Sequence, residues 1–218
     1  MLKYKLAIFD MDGTILNTLD DLTDSTNYCL KKFGMPEKTR DQVRVNLGNG
    51  TRHLFEMVVP EGTDDKTLED IIAVYNDYYK NHCMIKTGPY DGILELLRRL
   101  REAGVLTAVV SNKPEYAVKS LCHDLFNGLF DMSVGDKEGQ RIKPYPDSVN
   151  SIVETFNIDK TEAVYIGDSE VDFKTAENAG LDVIMVSWGF RQIEQIRALG
   201  AKCIVDTPEE VGNVILNT

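Results

Sequence analysis

The sequence has few cysteines, and none of them is arranged to hold a metal or a disulfide. The four lie far apart, without a Cys-x-x-Cys pair or a cluster with histidine: Cys29, Cys83, Cys122 and Cys203. A metal site built on thiolates is therefore not expected. This cysteine usage is typical of a reduced, cytoplasmic protein.

Long apolar runs and positive charge are also scarce. No apolar run approaches the roughly 18 residues of a membrane span. The short apolar stretch near the N-terminus ends at an acidic pair, so we predict neither a membrane segment nor a signal peptide. The 24 Lys and Arg against 35 Asp and Glu give a net charge of −11. This balance disfavours nucleic acid and anionic lipid as partners and favours a globular enzyme of small molecules.

Apolar, often β-branched runs alternate with helical patterns along most of the chain. The predicted strands are residues 4–9, 106–110, 163–166 and 183–186, with a short one at 203–205. The predicted helices between and after them are residues 91–103, 114–126, 144–156, 170–179 and 208–216. Strands that are apolar on both faces are typical of a parallel sheet covered by helices. The alternation predicts an α/β fold with an open parallel sheet.

The segment between the first strand and the second interrupts this alternation. From about residue 16 to residue 84 we predict no strand, only helices at 19–33, from Arg40, from Thr51 and at 65–83. A turn-rich stretch, Gly88-Pro89-Tyr90-Asp91-Gly92, marks the return to the α/β pattern. We therefore expect an all-helical insertion at residues 16–87, with residues 1–15 and 88–218 forming the α/β core.

An acidic pair follows the first predicted strand directly, in the motif Asp10-Met11-Asp12-Gly13-Thr14. Two carboxylates at i and i+2 of an extended segment point to the same side. Each would raise the cost of ionising the other unless a cation lay between them. Hard oxygen ligands of this kind favour Mg²⁺ over zinc. The alternative is a polar loop that only closes the strand.

Two further strand ends carry groups that suit a phosphate. Ser111-Asn112-Lys113 follows residues 106–110 and offers a hydroxyl and backbone N–H groups, although Ser or Asn there is also a common helix cap. Lys143, in Lys143-Pro144-Tyr145-Pro146, offers a compact positive charge. Taken alone, Lys143 is better explained as a solvated surface lysine.

A second acidic motif, Gly167-Asp168-Ser169-Glu170-Val171-Asp172, follows the strand at residues 163–166. Asp168 at the strand end could be a further metal ligand, and Asp172 lies one helical turn later on the same face. The alternative is helix capping by Asp168 or Ser169, with the other acids favourable in the first turn.

Taken together and in this order, the four motifs and the helical insertion resemble the haloacid dehalogenase-like phosphatase superfamily over the whole chain. The resemblance implies a Rossmann-like core with an inserted helical cap. It implies that Asp10 is the nucleophile that becomes phosphorylated, and that Asp12 is the general acid–base and also binds Mg²⁺ through its backbone carbonyl. It further implies that Ser111 and Lys143 hold the phosphoryl oxygens and that Asp168 completes the metal site. Asp172 resembles a supporting acid rather than a direct ligand.

The insertion is expected to choose the substrate, a small-molecule phosphate ester. Its stretch from Asn46 to His53 includes Gly48-Asn49-Gly50 ahead of a helix. Arg52 in this stretch could bind a carboxylate or a second phosphate. The other predicted substrate contacts are Gly50, Ser111, Asn112 and Lys143. An ordinary turn between helices is the alternative. This stretch and the Gly88–Gly92 hinge resemble phosphoglycolate phosphatases, so 2-phosphoglycolate is the leading candidate, while a pyrophosphatase or nucleotidase remains open.

Two rival functions use the same residues. A β-phosphoglucomutase-like sugar phosphomutase would pass the phosphoryl group from Asp10 to a second hydroxyl, and its core motifs would be identical. A non-catalytic phospho-binding module also uses acidic pairs, Mg²⁺ and a lysine, but its acceptor lies on a middle strand and it lacks the helical insertion. For assembly, the sequence allows a monomer or a homodimer.

Overall fold

The computed structural model describes residues 2–217, and its main feature is one parallel sheet of six strands. In chain order the strands are β1 (Leu6–Phe9), β4 (Leu106–Pro114), β5 (Met132–Asp136), β6 (Ala163–Gly167), β7 (Asp182–Val186) and β8 (Ile204–Val205). Their spatial order is β5-β4-β1-β6-β7-β8, and every neighbouring pair is parallel. The first strand therefore lies inside the sheet, between β4 and β6.

Helices cover both faces of this sheet. They are α5 (Ile93–Glu102), α6 (Glu115–Phe126), α7 (Asp147–Phe156), α8 (Glu170–Ala179), α9 (Ile193–Ala198) and α10 (Pro208–Leu216). Leu6 and Ile8 of β1 belong to the apolar cluster that includes α7 and α8, whereas Ala7 and Phe9 belong to the cluster that includes α5, α6 and α10. Because β1 is buried on both faces, its sequence is apolar throughout. The predicted α/β fold with an open parallel sheet is confirmed.

Four helices lie between β1 and α5: α1 (Leu19–Lys32), α2 (Arg40–Arg44), α3 (Gly50–Val58) and α4 (Asp65–His82). They pack on one another, α1 against α2 and α4, and α3 against α4. Helix α4 begins where the Asp64 carboxylate accepts the Thr67 N–H at 3.0 Å, a regular N-cap. These helices contribute Phe55, Tyr75 and Tyr79 to the apolar core.

The chain enters and leaves this helical segment through a two-stranded antiparallel sheet. Strand β2 (Leu16–Asn17) pairs with β3 (Gly88–Pro89), Leu16 opposite Pro89 and Asn17 opposite Gly88. The expectation of no strand after residue 16 was therefore wrong at this point, because a pair of two-residue strands is too short to show an alternating pattern. The proposed boundaries at 16 and 87 fall at this paired crossing, while residues 1 and 218 lie outside the described residues.

Other differences from the sequence prediction are local. Strand β5 was not predicted, because Ser133 and Gly135 dilute its apolar pattern, and α9 was not predicted either. Helix α7 begins at Asp147 and not at residue 144, since the prolines of Lys143-Pro144-Tyr145-Pro146 form a loop ahead of it. Within residues 2–217, no helix is both long enough and apolar enough to cross a membrane.

Candidate active site

The predicted site residues meet at one edge of the sheet. Asp10 directly follows β1, Asp168 directly follows β6, and Ser111 lies within β4. Because β1 lies between β4 and β6 and all three run parallel, their carboxyl ends bring these side chains to one place. Such an edge is where open α/β sheets hold their ligands.

Three carboxylates converge there. One oxygen from each of Asp10, Asp168 and Asp172 lies within 4.8 Å of the others, and all three residues are buried. The two oxygens of Asp172 are already engaged, Oδ1 with Lys143 Nζ at 2.7 Å and Oδ2 with Ser169 Oγ at 2.6 Å. Asp172 is therefore arranged to support its neighbours, and Asp10 and Asp168 are the two members of the group that line the adjacent cavity.

Lys143 is the cation at the centre of this group. Its Nζ lies 2.5 Å from Asp10 Oδ1, 2.7 Å from Asp172 Oδ1 and 3.2 Å from the Tyr165 hydroxyl. The side chain is 4% exposed, so the alternative of a solvated surface lysine does not apply. An ammonium group has three N–H donors, and these three contacts use them all.

The charges in this buried group favour an added cation. Burial, and after it the charge of Asp172, raises the pKa of Asp10 well above its ordinary value, although Lys143 opposes the rise. Burial and Asp172 likewise raise the pKa of Asp168 to about 7. Burial acts to lower the pKa of Lys143, but Asp10 and Asp172 outweigh it and raise that pKa well above its usual range. Lys143 thus stays charged, while the carboxylates need more positive charge to ionise fully.

The pocket around Asp168 is shaped by a glycine and by donors. Gly13 has φ +90°, and a Cβ there would lie 2.5 Å from Asp168 Oδ2, so a residue with a side chain could not occupy this position without displacing the carboxylate. The N–H of Phe190 donates to Asp168 Oδ2 at 2.7 Å and Thr14 Oγ1 donates to Oδ1 at 3.2 Å. Asp168 is therefore held in one orientation.

This donor set fits a divalent cation. Carboxylate oxygens are the ligands that Mg²⁺ prefers, and a cation among the three carboxylates would offset their mutual repulsion. The carboxyl group of Asp12 is directed elsewhere: Oδ1 accepts from Thr18 Oγ1 at 2.6 Å and lies 3.1 Å from Lys113 Nζ. The metal contact through the backbone of Asp12 and proton transfer by its carboxyl stay predictions of the resemblance.

A cavity of about 50 Å³ extends from these residues to the helical insertion. Its wall toward the insertion is mostly apolar, from Leu22, Leu47, Leu54 and Tyr75, and Gly50 and Thr51 of α3 complete that side. A Cβ on Gly50 would lie 3.3 Å from Ile142 Cδ1, so Gly50 allows the insertion to approach the core closely.

Side chains of the core bind the backbone of the insertion at this cavity. Asn112 Nδ2 donates to the Gly48 carbonyl at 2.9 Å, and Arg191 donates to the Leu47 carbonyl at 2.8 Å. In the opposite direction, Arg44 of the insertion donates to the Phe190 carbonyl. The loop ahead of α3 is thereby fixed over the carboxylates.

Two predicted substrate contacts are placed differently from the expectation. Arg52 lies on the outer side of α3, half exposed, and pairs with Glu56 at 3.3 Å and with Glu69 of α4; it does not line the cavity. The side chain of Asn112 contacts Lys143 on both sides, accepting from its N–H at 2.8 Å and donating to its carbonyl at 3.0 Å. Asn112 therefore holds the Lys143 loop at the wall of the cavity.

The sequence reasoning missed Lys113, Arg191, Thr18 and Phe190 as parts of the site. Lys113 carried a signal, since it follows Ser111 and Asn112 at the same strand end. Phe190 was considered mainly as core packing; it is buried, but its N–H also binds Asp168. Arg191 and Thr18 had no recognisable signal, because Arg191 binds a backbone carbonyl 144 residues away and Thr18 lies outside the Asp10–Thr14 motif whose Asp12 it binds.

Comparisons with known proteins identify relatives over most of this chain. A family model described as haloacid dehalogenase-like hydrolase matches residues 7–186. An N-acetylmuramic acid 6-phosphate phosphatase from Pseudomonas aeruginosa is 30% identical, covering 98% of this chain and 96% of the relative. A phosphoglycolate phosphatase from Aquifex aeolicus is 31% identical over 85% of this chain and 86% of its own. The crystal structure of a proposed phosphoglycolate phosphatase from Lactobacillus delbrueckii subsp. bulgaricus is 40% identical, with a TM-score of 0.94 and full coverage of both chains.

Proposed function

This chain belongs to the haloacid dehalogenase-like hydrolase family and is a phosphoric monoester hydrolase, and from that membership we propose that it is a Mg²⁺-dependent enzyme that cleaves 2-phosphoglycolate through a phosphorylated Asp10. The observation that carries the proposal is the buried contact of 2.5 Å between Asp10 Oδ1 and Lys143 Nζ, beside Asp168 and Asp172.

In the first half of the reaction, Asp10 attacks the phosphorus and the ester oxygen leaves. A carboxylate and a phosphate ester repel each other, so the approach requires positive charge close to both. Lys143 provides that charge at Asp10 and also anchors it to Asp172. The Ser111 hydroxyl, which lines the same cavity, is placed to bind a phosphoryl oxygen.

Asp12 is the group we assign to proton transfer. Its carboxyl is two residues from Asp10, lines the cavity and is held by Thr18 at 2.6 Å. It would donate a proton to the departing ester oxygen and then take one from the water that attacks the phosphoryl group on Asp10. The nucleophile and the acid–base are thus different residues. The phosphorylated Asp10 divides one difficult displacement into two easier ones.

Asp10, Asp168 and the backbone of Asp12 are the groups we propose as protein ligands of Mg²⁺. When bound, Mg²⁺ supplies positive charge to the phosphoryl oxygens and lowers the repulsion between them and Asp10. Asp172 would keep Lys143 and Ser169 in place beside these ligands.

Residues 16–87 would serve as a cap that closes over the cavity. The contacts of Asn112 and Arg191 with the carbonyls of Gly48 and Leu47 hold the cap against the core. Excluding water in this way protects the phosphorylated carboxylate until the leaving group has departed.

The names of the relatives divide the candidate substrates. One relative is named for N-acetylmuramic acid 6-phosphate. The names of several other relatives support 2-phosphoglycolate.

A phosphate-release panel tests this proposal. The purified chain with Mg²⁺ would be assayed on 2-phosphoglycolate, N-acetylmuramic acid 6-phosphate, a hexose phosphate, a nucleoside monophosphate and pyrophosphate. We expect the highest kcat/KM on 2-phosphoglycolate. Conversion of a hexose phosphate to its positional isomer without phosphate release would identify a mutase, and a clear preference for any other ester would overturn the substrate assignment.

We also propose a cytoplasmic location, which the four unpaired cysteines support. The assembly as a monomer or a homodimer stays a prediction that light scattering can decide.

A further inference from the structure

A second buried lysine lies in the cavity, on the side away from Asp172. The side chain of Lys113 is 2% exposed. Its Nζ lies 3.1 Å from Asp12 Oδ1 and 2.7 Å from the hydroxyl of Tyr79, which belongs to cap helix α4. Nothing in the proposed chemistry uses this cation, although it lines the same cavity as Asp10 and Asp12.

The position of the Lys113 ammonium group is fixed from both sides. Tyr79 is fully buried and stacks on Tyr75, with ring centroids 5.1 Å apart. Lys113 Nζ also lies 4.7 Å from the centre of the Tyr79 ring. The contact with Asp12 places this cation in a wall that is otherwise mostly apolar.

One donor of this ammonium group is left for a ligand. Of its three N–H bonds, one is directed to Asp12 and one to Tyr79, and residues 2–217 provide no third acceptor. The other cations that line the cavity are committed: Lys143 to Asp10, Asp172 and Tyr165, and Arg191 to Glu170 and the carbonyls of the cap. Lys113 is thus the cation nearest to the acid–base Asp12 that can still bind an anion.

We propose that Lys113 binds a carboxylate on the leaving group of the substrate. The inference rests on the proposed function, because it places the ester oxygen at Asp12. A group bound to Lys113 then lies one hydrogen-bond length farther on, and a carboxylate one carbon away from the ester oxygen can reach both residues. The substrate class is the phosphate esters of 2-hydroxycarboxylic acids, of which 2-phosphoglycolate is the smallest.

Lys113 takes the role that the sequence suggested for Arg52. A lysine fixed by Asp12 and Tyr79 in a buried wall contributes more to anion binding than an exposed arginine, because the field of a charge is stronger where water is excluded. It also couples substrate choice to the cap, since one of its two partners belongs to α4.

The test compares two esters that differ only in the carboxylate, 2-phosphoglycolate and ethyl phosphate. For the natural chain with Mg²⁺ we expect kcat/KM on 2-phosphoglycolate to exceed that on ethyl phosphate by about 100-fold, the usual worth of a hydrogen bond to a charged group. In Lys113→Met this ratio should fall to near one, with most of the change in KM for 2-phosphoglycolate. The ratio is the informative quantity, since any effect of Lys113 on Asp12 acts on both esters and cancels.

Lys174→Met is the matched control, because Lys174 is exposed and pairs only with Glu177 among the described residues; its ratio should equal that of the natural chain. If Lys113→Met fails to fold, the natural chain alone decides, by comparing 2-phosphoglycolate with its neutral amide, which should be about 100-fold poorer. An unchanged ratio in Lys113→Met, or equal hydrolysis of the two esters by the natural chain, would overturn the carboxylate site and leave the phosphatase intact. Release of phosphate from none of the esters would overturn the proposed function itself.

Discussion

Replacing Asp168 by asparagine should stabilise the metal-free protein at high pH while destroying its response to Mg²⁺. Burial and the nearby charge of Asp172 raise the pKa of Asp168 from its ordinary value of 3.8 to about 7, which corresponds to about 4 kcal/mol of unfavourable ionisation in the folded state. The carboxyl is neutral in both the folded and unfolded states below pH 3.8, so the cost is absent there. It grows as the pH rises toward about 7 and is fully present above that value.

The asparagine variant removes this cost and keeps the hydrogen bonds. Its Oδ1 can still accept from the Phe190 N–H, and its Nδ2 can donate to the Thr14 hydroxyl. In EDTA, we expect Asp168→Asn to be more stable than the natural chain by up to about 4 kcal/mol at pH 8 and close to it at pH 4. With Mg²⁺ at pH 8, the natural chain should gain stability and the variant should not.

Urea unfolding followed by circular dichroism, in EDTA and in Mg²⁺ at the two pH values, measures these differences. The matched control is Asp182→Asn, because hydrogen bonds from Tyr4 and Lys3 lower the pKa of that exposed carboxyl. Its loss should slightly destabilise the protein at pH 8, opposite in sign to Asp168→Asn. A metal-free Asp168→Asn that is no more stable than the natural chain at pH 8, or a difference that does not change with pH, would refute the reasoning.

Three further outcomes follow from the same site. Asp10→Asn should abolish phosphate release and leave the circular dichroism spectrum unchanged, and near-normal turnover would remove Asp10 from the chemistry. Lys143→Met should lower the free energy of unfolding at pH 8 by about 3–5 kcal/mol, because Asp10 and Asp172 lose a buried partner. It should also lower kcat by about 100-fold or more. Urea unfolding and steady-state kinetics measure the two losses, and a stable, active variant would contradict the assignment. EDTA should stop phosphate release from 2-phosphoglycolate and added Mg²⁺ should restore it, whereas activity that survives thorough chelation would exclude the metal from the reaction.

Much of the core could be predicted from the sequence, since its strands are apolar on both faces and end in polar residues. Asp10 and Asp168 each follow such a strand and Ser111 lies in the carboxyl half of another, and parallel strands place their carboxyl ends together. The Asp10–Lys143 contact joins residues 133 positions apart, and spacing alone could not give it; the order of the motifs and the family resemblance did. Strand β5 was not predicted because Ser133 and Gly135 interrupt its apolar pattern.

The cap was harder to predict, because its contacts depend on how helices turn about their axes. The helical segment was expected, but Arg52 faces Glu69 of α4 and not the cavity. Periodicity locates a helix and its apolar stripe, yet the direction of one polar residue at the edge of that stripe depends on the neighbouring helix. Lys113 directly follows the predicted residues Ser111 and Asn112 in the sequence. The role we propose for it depends on its contacts with Asp12 and Tyr79, which only the structure gives.

The most direct test is a structure of the natural chain with Mg²⁺ and beryllium fluoride, which mimics a phosphoryl group on a carboxylate. The account predicts BeF₃⁻ attached to an oxygen of Asp10, with Mg²⁺ bound by Asp10 and Asp168, with Lys143 Nζ still beside Asp10 and Asp172, and with Ser111 Oγ on a fluorine. An adduct on any other residue, or bound fluoride without attachment to Asp10, would contradict it.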